Sequence, residues 1–160
     1  MKHSLQRLLV AGALAMLLAS CGSEAPSADG SQAAPAVSEA QPLPRELPRG
    51  TEVGFPYHFL RDVIREDRPG VFQRRVRVEY LGMGQAEVGD AVRQAFTASA
   101  YSLNMEKVQD NGALQLNFEH PRVERNVTVT IQEGGDLEHP DARGIVQFTF
   151  PASPPGSTEE

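Results

Sequence analysis

The 160-residue sequence contains one cysteine, no tryptophan and only 6% aromatic side chains. A single cysteine excludes an intrachain disulfide and any multi-cysteine zinc or iron–sulfur centre. An excess of positive charge is missing as well: 15 Lys and Arg against 21 Asp and Glu leave a formal net charge of -6. General nucleic-acid binding needs a basic surface that displaces counterions from phosphates, so no nucleic-acid partner is expected. Long apolar runs are absent too. The stretch LLVAGALAMLL at positions 8–18 is eleven residues, roughly 17 Å of helix, against a hydrocarbon core of about 30 Å.

What is present fits one folded domain with unstructured flanks. Forty per cent hydrophobic and 22% charged residues lie in the globular range. Lys2 and Arg7 ahead of the apolar run read as the n-region and h-region of a signal peptide over residues 1–20. Residues 22–50, rich in Ala, Pro, Ser and Gly, have no hydrophobic periodicity. They are expected to form a disordered tether, with Pro42, Pro44 and Pro48 stiffening its distal end. The segment after Phe150, residues 151–160, reads as a disordered tail.

Between them, residues 51–150 carry the periodic patterns. Within Val71–Leu81, Phe72, Arg74, Val76, Val78 and Tyr80 share one parity, with Arg75, Arg77 and Glu79 on the other. From Gln85 onward Val88, Ala91, Val92, Ala95 and Phe96 fall on one helical stripe to about Ser99, and Gly89 suggests close packing on a sheet. Tyr101, Leu103 and Met105 alternate with polar residues, Asp110-Asn111-Gly112 supplies turn chemistry, and Leu114, Leu116 and Phe118 resume the alternation as a hairpin partner. Strands follow at residues 126–131, with Val127, Val129 and Ile131 inward, and at 145–150, with Val146, Phe148 and Phe150 inward. Residues 56–67 place Phe59, Leu60, Val63 and Ile64 at i, i+1, i+4 and i+5, which reads as a short helix ended by Asp67-Arg68-Pro69-Gly70, or as an extended segment lying on the sheet. The expected fold is α+β: one amphipathic helix on a mainly antiparallel sheet, order β-α-β-β-β-β, preceded by the short helix.

Leu18-Ala19-Ser20-Cys21, directly behind the apolar run, resembles the lipobox of bacterial lipoproteins. That resemblance implies that Cys21 becomes the acylated first residue of the mature chain and attaches it to the lipid bilayer. Gly22 in place of Asp implies the outer membrane, with the domain facing the periplasm. Two or more acyl chains hold stably where one is marginal. Within the domain, residues 88–96, 101–108, 110–112 and 114–118 resemble the helix-grip domains of outer-membrane assembly lipoproteins, which implies the fold class and no functional residue.

Catalytic patterns are weak. Glu119-His120 and Glu138-His139 set carboxylate beside imidazole, and His58 is the other histidine of the domain. Each pair runs into a proline, and none has the i, i+4 helical spacing of a zinc site. Ser99 and Ser102 have no base nearby in sequence, no G-x-S-x-G occurs, and Gly82-x-Gly84 lacks the rest of a phosphate loop. Asn126-Val127-Thr128 matches a glycosylation sequon but sits in a strand pattern. No enzymatic activity, cofactor or metal is expected. Charge is more informative: residues 51–77 hold six arginines against four carboxylates, residues 78–150 five basic side chains against eleven acidic. Arg74, Arg75 and Arg77 are therefore the expected partner-binding residues, steering toward an anionic envelope protein or polymer. The plain counter-reading is that they guard an edge strand. The alternative function is a small-ligand or metal-binding module, or a minor envelope hydrolase.

Overall fold

The computed structural model describes residues 42–156, apart from the side chains at 123–125. A 3-10 turn at Pro48–Gly50 precedes β1 (Tyr57–Arg68), β2 (Val71–Leu81), α1 (Gln85–Ala98), β3 (Ser102–Val108), β4 (Leu114–His120), β5 (Val123–Glu133) and β6 (Ala142–Ala152). All six strands form one antiparallel sheet in the order β1-β2-β6-β5-β4-β3. The fold is thus α+β, with one helix packed on the sheet. No helix among the described residues is long and apolar enough to cross a membrane.

Alternation decides which side chains meet the helix. Val76, Val78 and Tyr80 of β2, Leu116 and Phe118 of β4, Val127, Val129 and Ile131 of β5, and Val146 and Phe148 of β6 are all buried on one face. On α1, Val88, Val92 and Phe96 turn toward them. Burying each such side chain contributes roughly 1.5–3 kcal/mol. The Phe96 ring stacks on Phe118 with centroids 4.6 Å apart. A Cβ on Gly89 would come within 2.9 Å of a Leu114 methyl, so the absence of a side chain there lets the helix approach β4. Gly144 is tighter still: a Cβ would lie 2.1 Å from the Gln132 carbonyl oxygen and 2.5 Å from the Tyr80 hydroxyl.

Residues 56–67 are a strand rather than a helix. Tyr57 faces Tyr80 and Phe59 faces Val78, but the register shifts between Phe59 and Arg61, after which Asp62 faces Val76 and Ile64 faces Arg74. The inserted Leu60 changes the phase of the alternation by one, and this bulge is what gives the sequence its helix-like spacing. Asp67-Arg68-Pro69-Gly70, read as a helix stop, instead closes the β1–β2 hairpin. A second shift, between Leu103 and Met105, separates two residues expected on one face. Leu103 lies opposite Phe118, whereas Met105 lies opposite Asn117 on the other side of the sheet.

The folded unit also starts before Thr51. Leu47, assigned from sequence to the tether, is 2% exposed in the core, and Leu43 packs against the same cluster. Two leucines among prolines leave no periodic signal, because an extended arm laid over a core has neither helical nor strand repetition. Similarly, Pro151 and Ala152, assigned to the tail, continue β6 opposite Gln73 and Phe72. The expected signal peptide, Cys21 and the tether up to residue 41 lie outside the described residues, as do residues 157–160 of the expected tail.

Candidate functional site

The sheet face turned away from α1 is polar. On β2 it carries Arg75 and Arg77, opposite Thr149 and Gln147 of β6, which in turn face Thr128 and Thr130 of β5. On its other side, Arg77 faces Arg61 of β1, and Arg75 faces Val63. These side chains are half-buried or exposed. Gln147 Nε2 donates to Thr149 Oγ1 at 3.3 Å, and Arg75 is paired with Asp67. Arg61 and Arg77 have no carboxylate partner among the described residues. Burial, and then the facing charge of Arg61, push the Arg77 guanidinium below its ordinary pKa. The Nε atoms of Arg75 and Arg77 are buried without a hydrogen-bond partner. Two like charges directly opposite on neighbouring strands repel. An anionic group docked between them would relieve that repulsion.

Arg74 does not share this face. Parity turns it inward, where it is 8% exposed. Its Nε and Nη2 donate to Asp62 Oδ1 and Oδ2 at 2.8 Å each, while Nη2 and Nη1 reach the carbonyls of Arg45 and Glu46 at 2.8 and 2.7 Å. The guanidinium also stacks 5.2 Å above the Phe150 ring. Arg45 closes on the same Asp62 with two bonds of 3.0 Å. Burial acts to raise the Asp62 pKa, but the hydrogen bonds and charges of Arg74 and Arg45 outweigh it and hold the carboxyl below its ordinary value. Arg74 is thus a structural clasp between the sheet and the arm at residues 45 and 46. The three expected docking arginines divide into two on the open face and one beneath it.

Edge protection does not account for Arg75 and Arg77 either. β2 is an interior strand, between β1 and β6. The edge on that side is β1, which carries its own Arg61, Arg65 and Arg68. Arg61 escaped sequence reading because the bulge at Leu60 gave residues 56–67 the spacing of a helix, which hid their pairing with β2.

Elsewhere, the Glu79 carboxylate lies at the end of the open face, completely buried. It accepts the backbone N–H groups of Glu138 and His139 at 2.5 and 2.9 Å, which folds the β5–β6 loop over it. His58 Nδ1 is 3.5 Å from Glu79 Oε2, and the His58 and His139 rings meet edge-to-face at 5.5 Å. Among the described residues, no group of three or more His, Cys, Asp and Glu side chains converges as metal ligands. His120, at the far end of β4, is buried against Tyr101. Its Nδ1 accepts from the Arg122 N–H at 3.1 Å, and burial, then the charges of Arg49 and Arg122, lower its pKa. Ser99 Oγ donates to the Ala95 carbonyl at 3.2 Å as part of the helix end, and Ser102 is exposed on edge strand β3. The Gly84 N–H that opens α1 donates to the Glu87 carboxylate at 2.8 Å.

Compared with known proteins, the chain matches no family model, no curated protein and no solved structure.

Proposed function

We propose that this chain is an envelope lipoprotein, anchored through acylated Cys21 to the outer membrane, whose non-enzymatic α+β domain binds an anionic envelope component in the periplasm. The lipobox-like Leu18-Ala19-Ser20-Cys21 supports the anchor. One observation carries the binding reading: Arg61 and Arg77 face each other across the open sheet without carboxylates to neutralise them, beside Arg75 and a band of Thr and Gln side chains. Uncompensated charge of one sign on an uncovered face is a surface complementary to the opposite sign.

Arg61→Glu and Arg77→Glu together reverse that sign, exchange one repulsion for another, and leave the Arg74–Asp62 clasp and the Arg75–Asp67 pair in place. Cross-linking in intact envelopes should then lose the partner recovered with the wild type while the purified domain melts at an unchanged temperature. An unaltered cross-linking pattern would reject the docking face. Independently, Cys21→Ser should abolish incorporation of labelled palmitate, and persistent labelling would reject the anchor.

A further inference from the structure

A cleft of about 810 Å³ opens on the inner side of the sheet, between the turn at Pro48–Gly50, the ends of β1, β2 and β6, and the chain just after β6. Its size is that of a small-molecule site, which typically runs from about 300 to 1,000 Å³. The apolar part of its wall includes Ile64, Val127 and Phe150. Four further lining residues, Pro48, Pro151, Pro154 and Pro155, are prolines. Proline has no N–H, so this wall offers few donors to the carbonyls of a bound peptide, whose amides would be costly to bury unpaired. An alkyl chain carries no such cost.

The charged part of the wall is cationic by one. Arg45, Arg49 and Arg74 line the cleft along with Glu46, and Asp62 stands behind Arg45 and Arg74. Arg74 has given four hydrogen bonds to Asp62 and the arm carbonyls, so it contributes mainly charge. Arg45 keeps Nη1 free of the Asp62 pair, and its side chain is 51% exposed. Arg49 makes no ion pair among the described residues and is held at φ 59°, ψ 30°, a left-handed conformation that costs a non-glycine residue roughly 1–2 kcal/mol. Backbone held in this way recurs at ligand-binding sites, and Arg49 lines the cleft.

We infer that the cleft binds a long-chain aliphatic carboxylate, its head group on Arg49 and Arg45 and its chain along Ile64, Val127 and Phe150. The arginines involved are not those of the docking face, so this site stands or falls separately from the function proposed above.

The test uses the full-length protein and a polyene fatty acid whose fluorescence rises on leaving water. Saturable binding, displaced by oleate and much less by its uncharged methyl ester, is the expected result. Arg49→Gly keeps the left-handed backbone without strain and should weaken oleate about tenfold, the loss of one charge-assisted contact, while leaving the ester unchanged. Ile64→Glu, which sets a carboxylate in the wall, should abolish binding; if that variant does not fold, Arg49→Gly still decides. Absence of saturable binding, or acid and ester binding equally well to both wild type and Arg49→Gly, overturns the site.

Discussion

At the residue scale, His120 gives the protein a specific response to acid. Its pKa is lowered from 6.5 in the folded chain, so the unfolded chain binds the proton more readily. Stability therefore rises with pH where this group titrates: the contribution is full above about 6.5 and is lost as pH falls through the depressed folded value. Asp62, also depressed, acts in the same direction in a lower window, its contribution lost as pH falls below 3.8 through the folded value. Thermal melts between pH 7 and pH 5 should show a falling midpoint that flattens in His120→Asn, whose carbonyl still accepts the Arg122 N–H. The fall below about pH 4 should persist in that variant, since Asp62 is untouched. Tyr80 is inert over this whole range, because burial, and then Glu133, push its hydroxyl up to about 12.

At the scale of elements, the end of α1 shows what a local substitution would gain. Tyr101 N–H reaches the Phe96 carbonyl at 2.9 Å and Ala100 N–H reaches Thr97 at 3.0 Å, a Schellman closure with the Phe96 and Tyr101 rings 5.3 Å apart. Ala100 holds the left-handed position, at φ 64°, without being glycine. Ala100→Gly should raise unfolding free energy by about 0.5–1 kcal/mol in denaturant titration. The helix itself, the β3–β4 hairpin with its Asn-Gly turn, and the inward residues of β5 and β6 were all legible from periodicity. β1 was not, because a bulge at Leu60 imposes helix-like spacing on a strand, and the bulge before Met105 misplaced that residue in the same way. Strand order was not legible for a different reason. Gln147 lies beside Arg77 only because the last strand returns to pair with the second, a long-range choice that alternation does not encode. Glu79 illustrates the same limit: its parity is outward, and a loop some sixty residues later buries it.

On the whole-molecule scale, the folded domain begins earlier than composition indicated, with Leu47 already in the core. Leu47→Ala should cost about 2–4 kcal/mol in unfolding free energy, the loss of a buried leucine side chain, where a true linker residue would change it by less than about 0.5. A change no larger than the linker value would return residues 42–50 to the tether. Charge also divides by face: Arg61 and Arg77, unpaired by carboxylates, lie on the open side, whereas Arg74 and Arg45 hold Asp62 beneath it and Arg49 lines the cleft. The arm has a mechanical meaning as well. Any load carried by the upstream chain enters the domain at Leu43–Leu47, which belongs to no strand and is fastened by the Asp62 clasp and one buried leucine. Under tension on that chain the arm is expected to peel away before the sheet yields, a breakable fuse whose release would also strip one wall from the cleft.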